Sequence, residues 1–454
     1  MSHSVGECMP VVFKKCAMGY RWCVVVTLCL ISAVSLTMNN AAAQAPAASG
    51  SRKVISEYEA AQQRLVRSLS AQGKPLLAAD ENANFLKIKN SYKKLLSEGP
   101  DLSAASRKDM MTQGLRYNLH RVTDPTVQAS PFQMGQALLD VRRDLNSCGS
   151  LILNAQNKQR YREEVMTIAH ELLGDLLKNN LDSRFFALSV LLDLEVVSKG
   201  TGAGQNRVVF LEKVPATLKS VLSDTSKEQP DAVRAMAAVQ IQRFLEKTEA
   251  LPVEQMRLAK ELSAQLMRTE TNPAYQRALI EALIRVTQPR EVVGKAVPSV
   301  FETFIAVISD RNRSIMVRCQ AARGIGRVGF DPQINFEPLA WKVTQLAAEA
   351  GTLFNQNPGN SEFAFCGGDL YLAFHHLTQE EAKDAKNVKG MLNRDARSPL
   401  IRDAYKEVLK LAGPMISNSG NPIPESDLAA VNEWVKKSVP SNLKYDANGS
   451  NVPQ

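Results

Sequence analysis

The chain has 454 residues, of which 44% are hydrophobic, 6% aromatic and 22% charged, and its formal net charge is +9. The length suffices for two or three globular domains or one elongated array, and the ordinary apolar fraction argues against wholesale disorder, a collagen-like repeat and a multispanning membrane protein. Few aromatic residues combined with abundant Leu, Ala, Gln, Arg and Lys favour helix.

The first 43 residues have the pattern of a secretory signal peptide. Basic side chains precede an apolar run over residues 23–38, and small residues in A-x-A spacing follow that run. Cleavage is predicted after Ala43, because cleavage after Ala45 would place a proline first in the mature chain. A retained signal anchor is the alternative, although the apolar run is short for a membrane span. We therefore predict an exported protein, periplasmic or extracellular, without a transmembrane span after cleavage.

Cleavage changes the charge and the cysteine count. The mature chain keeps 52 basic and 45 acidic side chains, spread without a basic block. This balance allows weak attraction to an anionic polymer of the cell envelope and does not indicate a nucleic-acid partner. Cys148, Cys319 and Cys366 remain, too few and too dispersed for a disulfide framework. One bridge is possible, but nothing in the sequence pairs these cysteines, and we expect buried free thiols.

After a flexible leader over 44–50, helical 3.6-residue periodicity continues along most of the chain, interrupted by short stretches rich in Pro, Gly, Asn and Asp. The predicted helices cover residues 51–72, 82–97, 103–121, 131–146, 156–179, 183–198, 207–222, 231–248, 253–268, 273–287, 296–308, 313–328, 338–354, 361–377, 399–412 and 425–437. The polar tail over 440–454 is expected to be disordered.

A short motif recurs at a fixed offset in the middle of the chain. V-R-x-x-A-A-x-x-I at 233–241 returns 84 residues later at 317–325, and a related segment at 275–283 lies halfway between. Looser copies occupy 184–191 and 363–370. The helices between these copies tend to open with proline, at Pro215, Pro252, Pro298 and Pro338. Two helices per repeat of about 42 residues predict an α-solenoid.

Residues 221–244 and 301–328 resemble the junction of a HEAT repeat, an armadillo-type helical repeat. In that family an apolar helix ends in Asp, the next helix opens with Val-Arg, and the Asp and Arg form a ladder between successive repeats. The resemblance implies an all-α fold with an α-α superhelix, and a structural ladder of Asp224, Arg234, Asp310 and Arg318. An Asp at this place can cap the incoming helix and offer its carboxylate to a neighbouring guanidinium.

The resemblance is good over 181–377 and weak elsewhere. The N-terminal helical region lacks the motif, so it is either a set of degenerate repeats or a separate bundle. The predicted organisation is a signal peptide (1–43), a leader (44–50), an N-terminal helical region (51–180), a HEAT-like solenoid (181–415), a C-terminal capping helix (416–439) and the tail (440–454).

Three segments have partial chemical motifs. Residues 324–329 match G-x-G-x-x-G, but they continue a helix, whereas a dinucleotide site needs a preceding strand. We interpret these glycines as permitting close helix packing. His170-Glu171 begins a zinc-protease motif, but Gly174 stands where the second His should be. Cys366 could be imagined as a nucleophile, yet its register places it among the buried small residues.

The best metal candidates are Asp369, His375 and His376. Asp369 and His376 are seven residues apart and share one helix face, while the two histidines diverge by about 100°. Two ligands make a weak site. We therefore predict no catalytic residue, cofactor or metal site.

A long curved surface is the usual product of stacked helical repeats, and such surfaces bind macromolecules. The sequence thus favours a noncatalytic scaffold or adaptor with a protein partner, an inference by analogy of fold. The alternatives are an enzyme or accessory subunit with a site on the concave face, and a binder of anionic cell-envelope polymer.

Overall fold

The computed structural model describes residues 60–70, 73–99, 101–197, 208–224, 226, 229–248, 252–268, 271–287, 300–378, 381, 388–417, 420–445 and 452. All of these residues belong to one compact unit that spans 46–454. The described residues are mostly helical, which confirms the all-α prediction. The predicted signal peptide and leader lie outside the described residues.

The N-terminal region has a helix over 60–70 and, after it, α1 (Glu81–Glu98), α2 (Ala105–His120), α3 (Pro125–Gln128), α4 (Pro131–Ser147) and α5 (Ala155–Leu177). Side-chain caps fix where several of these helices begin. Asp124, Ser130 and Asn154 each accept a hydrogen bond from a backbone N–H in the first turn of the helix that follows. Helix α5 packs against α2, and the buried apolar side chains of this region form one hydrophobic core with those of the rest of the described chain.

The rest of the chain continues as α6 (Leu181–Leu191), α7 (Lys213–Ser223), α8 (Asp231–Lys247), α9 (Pro252–Leu266), α10 (Pro273–Ile284), α11 (Val300–Ser309), α12 (Ile315–Arg327), α13 (Glu337–Gln356), α14 (Glu362–Phe374), α15 (Met391–Arg394), α16 (Pro399–Ser417) and α17 (Glu425–Lys437). Pro215, Pro252 and Pro338 lie in the first turns of α7, α9 and α13, as predicted. Pro298 lies outside the described residues.

Helices in this part pack against the next helix and against the helix two places along the chain. The even-numbered series runs from α6 to α8, α10, α12, α14 and α16, and each member contacts the next. The odd-numbered helices α7, α9, α11 and α13 form a second series with contacts of the same kind. The two series contact each other through pairs such as α7 with α8 and α11 with α12.

The repeated motif occupies the buried face of the even-numbered helices. The paired positions Ala237-Ala238, Leu279-Ile280 and Ala321-Ala322 are fully buried. Burial at equal register explains why these positions recur as small or aliphatic residues, since a polar side chain there would lose its water without gaining a partner.

A short antiparallel hairpin replaces part of two predicted helices. Strand β1 (Glu195–Val197) pairs with β2 (Val209–Phe210), although helices were predicted over 183–198 and 207–222. The guanidinium of Arg162 donates to the carbonyl oxygen of Glu195 at 2.9 Å and holds β1 in an extended conformation against α5. Tertiary contact therefore overrides the local helical periodicity.

The C-terminal segment also departs from expectation. Helix α17, the predicted capping helix, packs on α13 and α16. Beyond it, Tyr445 is buried and its carbonyl oxygen accepts the Asn335 N–H at 2.8 Å, while Val452 is buried as well. The disorder predicted for 440–454 is therefore wrong for the described tail residues 440–445 and 452, because two apolar side chains dock there.

Two of the three cysteines after residue 43 are bonded to each other. Cys319 on α12 and Cys366 on α14 form a disulfide with Cα atoms 5.3 Å apart, so the free-thiol prediction is wrong for this pair. The two residues lie 47 positions apart in sequence, on helices of the even-numbered series that contact one another. Cys148 remains a buried free thiol, and burial raises its pKa to about 12.

Candidate interaction groove

The predicted ladder residues do not pair as the resemblance implies. Asp224 is exposed at the end of α7, and its carboxylate accepts the Ser226 N–H at 2.9 Å. Arg234 is buried and pairs with Asp231, one turn earlier on α8. The Oδ2 atom of Asp231 also accepts the N–H of Asn272, the N-cap residue of α10, at 3.1 Å. Asp231 thus takes the role that was expected of Asp224.

The second pair differs in the same way. The carboxylate of Asp310 accepts a hydrogen bond from Arg313 Nε at 3.0 Å, within the turn before α12. This carboxylate is therefore bound locally and does not reach the next repeat. Arg318 instead donates both terminal nitrogens to Glu349 on α13, at 2.7 and 2.8 Å, and its Nε to the carbonyl oxygen of Ile308 at 2.8 Å. The predicted Asp–Arg pairing is wrong, although Arg234 and Arg318 are buried side chains with carboxylate partners.

Other polar side chains link successive even-numbered helices. The side-chain oxygen of Gln276, at the start of α10, accepts a hydrogen bond at 3.0 Å from Nη1 of Arg313, which lies in the turn before α12. The remaining links of this kind are Arg184 to Gln229 at 2.6 Å, Arg277 to Gln320 at 2.9 Å, Arg323 to Glu281, and Arg323 to Asp369 at 3.4 Å. A chain of polar contacts therefore follows the series. Gln276 and Arg184 occupy the Arg position of the motif in its copies at 275–283 and 184–191, whereas their partners lie outside the motif.

The glycines of residues 324–329 permit close packing, as interpreted from the sequence. A Cβ atom on Gly326 would lie 2.1 Å from the carbonyl oxygen of Ala373 on α14, and one on Gly324 would meet the ring of Phe304 at 2.7 Å. His170 bonds the hydroxyl of Thr217 at 2.8 Å. Cys366 is fully buried in its disulfide. None of these residues is arranged for the chemistry that its partial motif suggests.

The metal candidates separate into two environments. Asp369 is buried and pairs with Arg323, while burial raises the pKa of its carboxyl group. The rings of His375 and His376 have centroids 4.1 Å apart at the end of α14, and His375 stacks on Tyr371. Within the described part of the chain, no group of three or more His, Cys, Asp or Glu residues could hold a metal ion.

Two pockets lie along the C-terminal ends of the even-numbered helices and share Glu246 as a lining residue; we call them together the groove. The first pocket has a volume of about 280 Å³ and is lined by Arg142, Ser189, Leu192, Asp193, Gln240, Arg243, Glu246 and Lys247. The second has a volume of about 290 Å³ and is lined by Leu245, Glu246, Ile284, Arg285, Val286, Thr287, Glu381 and Lys389. Helices α4 and α8, with the residues that follow α6 and α10, thus contribute charged side chains to the groove.

Basic residues recur near the C-terminal ends of successive even-numbered helices around this groove. Arg243, Arg285 and Arg327 are spaced 42 residues apart. Arg243 lies four residues before the end of α8, Arg285 directly follows α10, and Arg327 is the last residue of α12. The negative end of the helix dipole stabilises the cations of Arg285 and Arg327. This spacing is a readable signal in the sequence, but the predicted repeat rests on the apolar positions and does not include it.

The second pocket borders a cluster of cations around the end of α12. Lys389 donates to the carbonyl oxygen of Arg327, and Arg394 donates to the carbonyl oxygen of Ile325 at 2.8 Å. Burial, together with the neighbouring Arg394, Arg327 and Arg285 guanidinium groups, lowers the pKa of Lys389 to about 7. The ion pairs of Arg285 with Glu246 and of Arg327 with Glu381 offset part of this positive charge.

Comparison of the chain with models of protein families, with curated proteins and with solved structures finds no match. Among the described helices, none combines the length and the apolar character that a membrane crossing requires.

Proposed function

We propose that the protein is an exported, noncatalytic scaffold whose even- and odd-numbered helices stack as a HEAT-like solenoid, and which binds a protein partner along the groove. The contacts between helices two places apart, and the buried motif positions at equal register, support the solenoid arrangement. The groove is the observation that supports the function, because charged side chains from successive helices and from the turns after them line it.

The charges favour a polypeptide over an anionic polymer. Cations and anions are interspersed in both pockets: Asp193 and Glu246 lie beside Arg243 and Lys247 in the first, and Glu381 lies beside Lys389 in the second. A polymer with one sign of charge would meet these carboxylates with repulsion, whereas a protein surface can offer both signs.

Export is supported by the basic, apolar and Ala-rich order of residues 1–43. The disulfide between Cys319 and Cys366 agrees with it, because such bonds persist in oxidising compartments.

Site-specific photo-crosslinking tests this function. A benzoylphenylalanine replaces Glu246, which is exposed between the two pockets, and in a control it replaces Lys437, which is exposed on α17. In the native host we expect a discrete, protease-sensitive adduct from position 246 and none from position 437. Equal adducts from both positions, no adduct from 246, or a protease-resistant polymer adduct would contradict the proposal.

A further inference from the structure

Each charged side chain of the first pocket except Arg243 has a partner of opposite charge. Its other charged groups have partners: Arg142 Nε with Asp193 at 2.9 Å, Glu246 with Arg285 at 2.8 Å, and Lys247 with Glu195 at 3.4 Å. Arg243 makes neither a hydrogen bond nor an ion pair within 4 Å to another described residue. Its guanidinium lies within electrostatic range of Asp193, Glu246 and Arg142. Because an arginine keeps its charge in proteins, the Arg243 guanidinium can bind an anion that enters the pocket.

Arg243 is also partly removed from water. Burial, with the nearby Arg142 guanidinium, lowers the pKa of Arg243, so its charge is poorly solvated. A planar carboxylate could accept two parallel hydrogen bonds from such a guanidinium, which is the strongest arrangement that a single arginine offers. Lys247 cannot take this role as readily, because it is shared between Glu195 and the ring of Phe210, 5.8 Å away.

Gln240 supplies a second, independent indication of a ligand. This residue lines the same pocket, is fully buried, and its Oε1 atom has no hydrogen-bond partner among the described residues. Its Nε2 atom makes only a 3.7 Å contact with the sulfur of Met236. A buried acceptor without a partner costs free energy, and an N–H or O–H of a ligand would remove that cost. Gln240 and Arg243 lie on the same helix, less than one turn apart.

We propose that the first pocket binds a carboxylate whose neighbouring group is a hydrogen-bond donor, with the carboxylate on Arg243 and the donor on Gln240. A peptide with a free C-terminus has this chemistry, because an amide N–H lies next to its terminal carboxylate. The pocket volume of about 280 Å³ accommodates the last one or two residues. The ligand is either the C-terminus of a protein partner, in which case the inference rests on the proposed function, or a free small N-acyl amino acid or peptide.

Calorimetry on the purified protein tests this pocket with N-acetyl-alanyl-alanine as the probe. At low ionic strength we expect a Kd of about 0.1–1 mM for the acid, and binding at least tenfold weaker for the corresponding C-terminal amide. Arg243→Gln should weaken binding of the acid at least tenfold, and Gln240→Leu should weaken it several-fold. Arg257→Gln removes an exposed cation on α9 outside the pocket and should leave the Kd unchanged.

Melting curves first establish that each variant is folded, and Arg243→Lys provides a milder change if Arg243→Gln unfolds. The lysine keeps the charge and loses the paired hydrogen bonds, so we expect an intermediate Kd. Equal binding of acid and amide, or an unchanged Kd in whichever Arg243 variant folds, would overturn the inference.

Competition separates the two sources of the carboxylate and the two proposals. If the peptide acid binds and suppresses the adduct from position 246, the ligand is the partner's C-terminus. If it binds without suppressing that adduct, the ligand is a free small acid. If the adduct forms but the acid does not bind, the carboxylate inference fails while the proposed function stands. If the acid binds but no adduct forms, the proposed function is wrong, while the inference that the first pocket binds a carboxylate stands.

Discussion

The N-terminal region over 81–177 and the repeat region over 181–417 bury polar groups in different ways. In the N-terminal region side chains from three helices converge on one carboxylate. The carboxylate of Asp144, which is 1% exposed, accepts hydrogen bonds from Tyr92 at 2.9 Å and Asn118 at 2.8 Å, and it pairs with Lys93. Burial and the Asp144 carboxylate raise the pKa of Tyr92, which keeps its hydroxyl protonated as the donor. Three helices, α1, α2 and α4, are tied to one carboxylate.

In the repeat region the buried polar contacts run stepwise instead. Gln276 reaches Arg313, Arg277 reaches Gln320, and Arg323 contacts side chains of both neighbouring even-numbered helices. A contact reused at each step requires similar residues at a fixed offset, and a contact made once does not. This difference explains why a period is visible in one region and absent from the other.

The largest effect is expected at Asp144, the buried carboxylate that joins three helices of the N-terminal region. Asp144→Ala leaves the Tyr92 hydroxyl and the Asn118 amide buried without their acceptor, and we expect a loss of about 3–5 kcal/mol in the free energy of unfolding. Asp140→Ala removes a partly exposed carboxylate that pairs with Arg121 in the same region, and should cost about 1 kcal/mol or less. Urea denaturation measures both. Similar losses in the two variants would show that Asp144 contributes no more to stability than an ordinary surface carboxylate.

The disulfide should make the next largest contribution to stability. In the chain-entropy account, closing a loop of 47 residues stabilises a fold by about 4 kcal/mol, so we expect the double variant Cys319→Ala/Cys366→Ala to lose about 3–4 kcal/mol. Cys148→Ala removes only a buried sulfur and should cost about 1 kcal/mol. Thermal melts with and without reductant provide the measurement. An identical melt for the wild type in both conditions would show that the bond does not stabilise α12 against α14.

Arg318 is expected to stabilise the fold through its hydrogen bonds to α11 and α13, two helices of the odd-numbered series. Arg318→Ala leaves Glu349 and the Ile308 carbonyl oxygen without their charged donor, and should cost about 2 kcal/mol. Arg285→Ala breaks a pair whose side chains are 42% and 38% exposed, and should cost less than about 1 kcal/mol. Chemical denaturation of both variants decides the point, and coincident curves would show that Arg318 has no special structural role.

An effect that depends on pH is expected at Lys389. Its folded-state pKa of about 7 lies below the ordinary value near 10.4, so the unfolded chain binds more protons between these two pH values. Stability should therefore rise with pH across this window, and the cost of protonating Lys389 is fully present below pH 7. Lys389→Met removes this cost. We expect its stability relative to the wild type to be highest below pH 7 and to decline towards pH 10. A difference that is independent of pH would contradict the assignment.

The buried motif positions and the helix starts were predictable because each has a local signal in the sequence. The paired positions 237–238 and 321–322 are small and fully buried, and three of the four prolines open helices where they were expected. The ladder was not predictable in detail, because several carboxylates lie within reach of each arginine. Arg234 pairs with Asp231 instead of Asp224, and Arg318 pairs with Glu349 instead of Asp310. The position of the backbone decides which carboxylate is in reach, and the motif does not encode that position.

The groove was not predictable from the sequence for a related reason. Its first pocket combines α4 with α6 and α8, so Arg142 meets Arg243 only after the N-terminal region has packed against the repeats. No single sequence window contains both residues. The 42-residue spacing of Arg243, Arg285 and Arg327 could have indicated the groove, but each arginine taken alone is indistinguishable from an ordinary solvated helix end.

A double-mutant cycle between Gln276 and Arg313 tests most directly the claim that polar contacts join successive repeats. The two side chains meet at 3.0 Å, whereas Arg184 reaches Gln229 at an earlier step of the series. We predict a coupling of about 1 kcal/mol for Gln276→Ala with Arg313→Ala, and additive effects for Gln276→Ala with Arg184→Ala. Additivity in the first cycle, or an equal coupling in both, would contradict a stepwise ladder.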